Sequence, residues 1–327
     1  MTSEAINHFQ FDAGGLIRDY PPKWRDHNKK IVFEIACGSG APFEGEIVYA
    51  RWAERQLPEA VTERWRFEVR PGVFDYAAPP DPATIAWHVN FADPEMLVAY
   101  GSSLLAQDEL QCAEHPVLGS LRQALMASGV RARTIDGEGR PTPVTISGVQ
   151  RRCMIDTLPN LSAGRPGGLY GNRFASAPEE QIRAATTALC PPTISNILAM
   201  AAPSYGSGAY SREEIAAIAR TAFTGFSAAR CESERMGGPH ATTVIHTGFW
   251  GCGAFGGNRT LMTILQALAA DLAGVDVVFW AFNEAGLKVA QEGRSVYEQE
   301  RDSTSAVSVL LDRIAERKLK WGLSDGN

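Results

Sequence analysis

Residues Thr247 to Asn258 read Thr-Gly-Phe-Trp-Gly-Cys-Gly-Ala-Phe-Gly-Gly-Asn, and they join an apolar strand to the best helix pattern in the chain. Five glycines fall within ten positions, whereas a plain strand-to-helix turn needs only one or two. Unpaired backbone N–H groups in such a loop, with the positive end of the following helix, attract anions. The loop therefore predicts a phosphate or diphosphate site. It is not a Walker motif, because no Gly-Lys-Ser/Thr ends it.

Helix and strand patterns on either side of this loop indicate an α/β protein. Arg259 to Ala273 is predicted as a helix, with Asn258 as N-cap, Gly274 as C-cap and leucines at three-to-four spacing. Further helices are predicted from Ser211, where Glu214 completes a capping box, and after Pro116. Short apolar runs predict strands over Ile31–Ala36, Ile85–Phe91, Val144–Val149, Cys153–Ile155, Thr243–His246 and Val275–Phe282. We expect a mixed central sheet with helices on both faces.

The chain divides, by composition, into an N-terminal part and a larger main part. Residues 1–75 are predicted to form an N-terminal accessory layer, and residues 76–327 the main domain. The prolines and glycines of 158–210 predict an insertion without long regular elements, containing one short helix. The run from Val32 to Gly40 resembles the strand and glycine turn that open nucleotide and S-adenosylmethionine folds. A methyltransferase is therefore one alternative, although the expected helix does not follow the turn.

Composition narrows the function further. The chain has 327 residues, 45% of them hydrophobic, and a net charge of −6, which disfavours a direct nucleic acid partner. No apolar run is long enough for a membrane span, and the start lacks a secretory signal pattern, so a cytoplasmic address is expected. The six cysteines form no Cys-x-x-Cys pair and are predicted to be reduced. We expect no metal and no cofactor.

A second polar segment contains adjacent carboxylates. Asn90-Phe91-Ala92-Asp93 ends a predicted strand, and Gln107-Asp108-Glu109 follows after a small-residue loop. Two neighbouring carboxyls raise one another's pKa, so that one stays protonated near neutral pH and can serve as a general acid. The alternative is a solvated helix start whose acids interact with the helix dipole.

Together these segments resemble the catalytic domain of the poly(ADP-ribose) glycohydrolase family, which has a macrodomain fold. The resemblance implies that Glu109 is the catalytic acid and that Asp108 is the acid preceding it. Asp108 and Asp93 are predicted to complete the catalytic group by orienting the ribose hydroxyls or the acceptor side chain. The resemblance also implies that Phe255 lies against the diphosphate and ribose, and that Phe282 lies on the adenine. The full set of ADP-ribose contacts implied in this way is Asn90, Phe91, Ala92, Gln107, Gly251, Gly253, Ala254, Phe255, Gly256, Gly257, Phe282 and Asn283.

Departures from the family pattern bear on the substrate. Leu97-Val98-Ala99 stands where the family has three glycines, and Asp93 stands where it has Asn. No equivalent of the adenine-covering Tyr is found near Ile146 to Gln150. An extra carboxylate at Asp93 would steady a cationic guanidinium leaving group. We therefore predict a mono-ADP-ribosyl hydrolase that acts on an ADP-ribosylated protein, with arginine as the candidate linkage. The alternatives are a poly(ADP-ribose) glycohydrolase and a non-catalytic ADP-ribose reader.

Overall fold

A computed structural model describes residues 5–38 and 40–326 of the chain. Its centre is one eight-stranded sheet in the order β1-β2-β5-β6-β4-β7-β8-β3. The strands are β1 (Ala5–Asp12), β2 (Glu46–Trp52), β3 (Phe67–Arg70), β4 (Thr84–Ala92), β5 (Val144–Ile155), β6 (Thr186–Ala201), β7 (Thr242–Gly248) and β8 (Asp276–Trp280). The helices are α1 (Ala13–Asp19), α2 (His27–Cys37), α3 (Gln107–Glu114), α4 (Val117–Ala127), α5 (Arg173–Ser176), α6 (Glu179–Ala185), α7 (Arg212–Gly237), α8 (Arg259–Ala273), α9 (Glu284–Ser303) and α10 (Val307–Glu316).

The sheet is mixed, with helices on both faces, as predicted. The pairs β6–β4, β4–β7, β7–β8 and β8–β3 are parallel, whereas β1–β2, β2–β5 and β5–β6 are antiparallel. Trp87 and Val89 of β4 pack with α7 and α8 in the larger core. On the other face, Ile197 and Ala199 of β6 pack with α1 and α4. Central strands are therefore covered twice, which explains their nearly continuous apolar runs.

The parallel strands bring three loops to one edge of the sheet. Because β4 pairs parallel with β7, and β7 with β8, their carboxyl ends at Ala92, Gly248 and Trp280 lie side by side. Open α/β sheets bind ligands at this edge. Both sequence segments with predicted chemistry begin there.

Several local predictions are confirmed. Helix α8 spans Arg259–Ala273, the Asn258 side chain accepts from the Leu261 N–H, and Gly274 has the left-handed conformation of a C-cap. Ser211 and Glu214 form the predicted capping box of α7. The predicted strands at 85–91, 144–149, 153–155 and 243–246 lie within β4, β5 and β7, and β8 lies within 275–282.

The predicted strand Ile31–Ala36 is wrong, because this run lies in helix α2. The Asp26 side chain accepts a hydrogen bond from the Lys29 N–H and so caps the helix. Ile31, Val32 and Ala36 face inward at helical spacing. A short apolar run does not distinguish a buried strand from a buried helix. The strand-and-turn pattern of a methyltransferase is therefore absent from 27–38; Ser39 of that turn lies outside the described residues.

The expectation that 158–210 lacks long regular elements is also wrong. Strand β6 occupies Thr186–Ala201, in the middle of the sheet. Its prolines fall where the pairing with β5 shifts, between the pairs Arg151–Thr193 and Cys153–Ala188. Such an irregularity can accommodate a proline, because the strand needs no backbone N–H for pairing at that point. The short helix predicted in this segment is present as α6.

Residues 5–75 contribute to both edges of the same sheet. Strands β1 and β2 extend one edge beyond β5, and β3 pairs with β8 at the other. The division at residue 75 stays a prediction. Within the described residues, none of the helices has the length and apolar character needed to cross a bilayer.

Candidate functional site

The predicted acid pair lies at the start of helix α3. Glu109 is 3% exposed and Asp108 5% exposed, so neither is a solvated helix-start carboxylate. Gln107 fastens this turn to β4, since its Oε1 accepts from the Phe91 N–H at 2.7 Å and its Nε2 donates to the Val89 carbonyl at 3.0 Å. The Glu109 side chain also caps the N-terminus of α3, because it accepts a hydrogen bond from the Ala106 N–H at 3.1 Å.

Asn90 holds the pair through its amide. Its Nδ2 donates to Asp108 Oδ1 at 3.0 Å and to Gln111 Oε1 at 2.9 Å. Gln111 Nε2 in turn donates to the Tyr76 hydroxyl at 3.0 Å. An aspartate at position 90 would place a third carboxylate against Asp108 and Glu109. The neutral amide of Asn90 avoids this charge repulsion and donates a hydrogen bond instead.

The environment favours a proton on these carboxyls. Burial, and then the charge of Glu109, raises the pKa of Asp108 to about 8. Burial also raises the pKa of Glu109, although the Lys29 ammonium opposes that rise. Asp93 is half-buried, and burial raises its pKa as well. Carboxyls held neutral in this way can donate a proton near neutral pH.

Lys29 is part of the site although sequence reasoning passed over it. It is 1% exposed on helix α2, and its Nζ donates to the Tyr100 carbonyl at 2.9 Å. Burial lowers the pKa of Lys29, and the charge of Glu109 is the largest influence in the opposite direction. Lys29 comes from helix α2, far from the acid pair in sequence, so no local sequence pattern connects it to the site.

The glycine loop shows two different reasons for its glycines. Gly251 has φ +74°, and a Cβ there would lie 2.4 Å from Ala202 Cβ, so packing and backbone both require glycine. At Gly253 the nearest atoms to such a Cβ belong to the Asp325 carboxylate, starting at 3.2 Å. Gly253 therefore presents its backbone toward Asp325, which lies over the loop.

The helix end behind the loop is largely satisfied by the protein itself. Asn258 Oδ1 accepts from the Leu261 N–H at 3.0 Å, and the Asn258 N–H donates to the Tyr210 hydroxyl at 3.0 Å. Gly257 N–H donates to the Gly251 carbonyl at 2.8 Å. Because these N–H groups at the start of α8 already have partners, an anion would contact the backbone of the loop more than the helix end.

The two halves of the site approach one another across β4 and β7. A ring atom of Phe91 lies 3.6 Å from the position of a Cβ on Gly248, at the start of the loop. Tyr170, another residue missed by sequence reasoning, lies between the halves. Burial, and then the charge of Asp325, raises its pKa to about 12, whereas the Gln107 N–H lowers it and Glu109 raises it.

The remaining predicted contacts lie at the same edge. Phe282 is 53% exposed with φ +65°, and its backbone exchanges hydrogen bonds with Gly72. Phe255 contacts Tyr205 with ring centroids 6.0 Å apart. Asn283 caps α9, since its side chain accepts from the Gly286 N–H at 2.9 Å. Ala92 is fully buried at the end of β4, while Ala254 follows Gly253 in the loop. Their ligand contacts stay a prediction.

The segment Leu97-Val98-Ala99, where the resemblance predicts three glycines, has a left-handed backbone at one position. Leu97 has φ +57° and is 1% exposed, packed in the core with Met96 and Tyr100. A left-handed backbone costs a non-glycine residue about 1–2 kcal/mol. Burial of the leucine side chain offsets that cost.

Two further polar groups have structural explanations. Glu114, beyond the acid pair, forms a buried ion pair with Arg151 at 2.8 Å and accepts from the Ile155 N–H. His246 is buried and its Nδ1 accepts from Trp280 Nε1 at 3.2 Å, so it packs as a hydrogen-bonded core histidine. Among residues 5–38 and 40–326, no group of three His, Cys, Asp or Glu side chains is arranged to hold a metal ion.

Residues 170–289 match the family described as poly(ADP-ribose) glycohydrolase, macro domain fold. The match begins at Tyr170 and includes the glycine loop, α8 and β8. The chain is thus an α/β protein of macro domain fold. The predicted resemblance to the poly(ADP-ribose) glycohydrolase family is confirmed over these residues.

Individual relatives match either a short stretch of this chain or a longer stretch at low identity. Poly(ADP-ribose) glycohydrolase 1 of Caenorhabditis elegans is 35% identical over 78 residues, which is 24% of this chain and 10% of the relative. The chain thus spans about a tenth of that protein. A Thermomonospora curvata poly(ADP-ribose) glycohydrolase bound to the inhibitor ADP-HPD is 20% identical, with TM-score 0.46, covering 70% of this chain and 78% of that one. The Deinococcus radiodurans enzyme with ADP-ribose is 14% identical, with TM-score 0.39, covering 89% and 95%.

Proposed function

We propose that this protein is an ADP-ribosyl glycohydrolase that cleaves the glycosidic bond at the distal ribose of ADP-ribose units. The observation that carries the proposal is the buried carboxyl pair Asp108 and Glu109, at the sheet edge shared with the glycine loop. A protein that only binds ADP-ribose has no need of two buried acids whose pKa values are both raised.

The chemistry needs a proton donor and negative charge near the sugar. Cleavage passes through an oxocarbenium-like state, in which an acid protonates the leaving oxygen and a carboxylate steadies the ribose. Glu109 is the proposed acid, and Asp108 and Asp93 are proposed to orient the ribose hydroxyls or the water. Burial raises the pKa of both carboxyls, Lys29 opposes the rise at Glu109, and the charge of Glu109 adds to the rise at Asp108, so a proton on either carboxyl favours ionisation of the other.

The family relation supports the bond between ADP-ribose units as the substrate. This reading is better supported than the mono-ADP-ribosyl hydrolase predicted from the sequence. Single ADP-ribose on a protein side chain, with arginine as the linkage, remains a second candidate because Asp93 supplies a half-buried carboxylate near the pair. The reader alternative predicts binding without turnover.

The test compares two substrates and three proteins. Poly(ADP-ribose) and an arginine-mono-ADP-ribosylated protein are each incubated with wild type, Glu109→Gln and Asp271→Asn, and free ADP-ribose is measured. Asp271 is a matched control, because it is buried with a raised pKa but bonds Tyr297, away from the site. We expect release by wild type and by Asp271→Asn, lowered about 10²- to 10⁴-fold in Glu109→Gln.

The substrate that supports release identifies the preference. Release from the chain substrate supports a poly(ADP-ribose) glycohydrolase, and release from the mono-modified protein alone supports the second candidate. Absence of release from both substrates, with ADP-ribose still bound, would contradict the proposal and support a reader.

A further inference from the structure

We propose that the segment Trp321–Gly326 occupies the ligand-facing side of the glycine loop and competes with the diphosphate of ADP-ribose, so that the described conformation is self-inhibited. The inference rests on the function proposed above, because that function places the diphosphate at this loop. It adds a regulatory element to the site.

Backbone hydrogen bonds hold the segment on the loop itself. The Gly322 N–H donates to the Gly256 carbonyl at 2.8 Å, and the Asp325 N–H lies 3.4 Å from the Gly253 carbonyl. Gly256 also approaches the segment closely, since a Cβ there would lie 3.2 Å from the Ser324 nitrogen. The contacts therefore use the same glycines that were predicted to let a ligand approach.

The segment also brings an anion to the site. The Asp325 carboxylate lies over Gly253, 3.2 Å from the position of a Cβ. The charge of Asp325 raises the pKa of Tyr170, and the charge of Glu109 raises it as well. Beyond Asp325, the Gly326 carbonyl accepts from Asn172 Nδ2 at 2.9 Å. The segment thus reaches from the loop toward the acid pair, with a negative group over the loop predicted to bind a diphosphate. Two anions cannot share that position without strong repulsion.

The two ends of the segment differ in how firmly they are held. The Trp321 ring stacks on Tyr210 with ring centroids 4.3 Å apart, and the Trp321 backbone N–H donates to the Gly208 carbonyl at 2.9 Å. Leu323, by contrast, is 94% exposed. Past Gly322 the segment buries little apolar surface, and such regions open locally at small free-energy cost. We infer that residues 323–326 leave the loop while Trp321 stays in place.

Affinity for the diphosphate should then depend on how often the loop is free. The apparent dissociation constant equals the intrinsic one divided by the fraction of molecules with an open loop. If the segment covers the loop in about nine molecules of ten, its removal tightens binding about tenfold.

The experiment measures ADP and ADP-ribose affinity by calorimetry. The proteins are the full chain, a chain ending after Gly322, Asp325→Asn, and Glu316→Gln as a charge-matched control on α10. We expect the shortened chain to bind both ligands about tenfold more tightly, Asp325→Asn a few-fold more tightly, and Glu316→Gln as the full chain does. ADP should show the same gain as ADP-ribose, because the conflict lies at the diphosphate.

Each outcome has a distinct meaning. Equal affinity in the full and shortened chains would overturn the inference and leave the proposed function standing. Weaker binding by the shortened chain would also overturn it, because the segment would then belong to the ligand's own contacts. If none of the four proteins binds ADP-ribose, the proposed function fails and the inference fails with it.

Discussion

The two halves of the candidate site differ in what forms them: side chains form one half, and backbone forms the other. The half around Asn90, Asp108 and Glu109 consists of buried side chains that hold one another by hydrogen bonds and charge. The half around Gly251 to Gly257 presents backbone, and its shape depends on the absence of side chains. The loop lies inside the family match at 170–289, whereas the acid pair lies outside it. The first half therefore depends on which side chains are present, and the second on which are absent.

The largest expected effect separates the glycines within the loop. Gly251→Val would place a branched side chain at φ +74° against Ala202, so we expect a loss of about 2–4 kcal/mol in unfolding free energy. The nearest atoms to a Cβ in Gly253→Ala are those of the Asp325 carboxylate, at 3.2 Å and beyond, with no backbone among them, so this change should cost less than about 0.5 kcal/mol. Chemical denaturation of both variants measures the difference. Equal losses would show that the loop has no division between structural and ligand-facing glycines.

The next effect tests the electrostatics of the acid half. The pKa of Asp108 is raised from its ordinary value to about 8, so the folded state binds its proton more tightly than the unfolded state. Stability should therefore fall as the pH rises from about 4 to about 8. Asp108→Asn removes this penalty, and we expect its advantage over wild type to grow by more than about 1 kcal/mol between pH 5 and pH 8. Denaturation at both pH values gives the answer, and an advantage independent of pH would contradict the raised pKa.

The smallest effect concerns Asp93 and the substrate. Asp93→Asn restores the residue that the family resemblance implies. We expect release from an arginine-linked substrate to fall a few-fold, with little change for poly(ADP-ribose), because a nearby carboxylate stabilises a departing guanidinium. Initial rates on the two substrates measure this. Unchanged release from the arginine-linked substrate would show that the charge argument is wrong.

Sequence reasoning succeeded where a residue's structure depends on its neighbours in the chain. Asn258 and Gly274 cap α8 through local hydrogen bonds and backbone conformation, and both were predictable. It failed for α2 and β6, whose assignments depend on what packs or pairs with them. An apolar hexamer fits a helix or a strand, and a proline pair fits a strand only if the partner strand is irregular at that point.

The site shows the same division. Asp108 and Glu109 were predictable from adjacent carboxylates and their spacing, but their burial was not. Lys29 and Tyr170 enter from α2 and from the segment before α5, so no local pattern could connect them to the acid pair. The contact between Asp325 and Gly253 joins residues far apart in sequence and could only be found in the structure.

The most direct test of the account measures turnover and affinity in one preparation of Glu109→Gln. Release of ADP-ribose from poly(ADP-ribose) and the dissociation constant for ADP-ribose are compared with those of wild type. The account predicts that turnover falls about 10²- to 10⁴-fold while affinity stays within a few-fold, since acid and loop act separately. Turnover that persists in Glu109→Gln would contradict the assignment of Glu109 as the acid. A parallel loss of affinity would contradict the separation of the two halves.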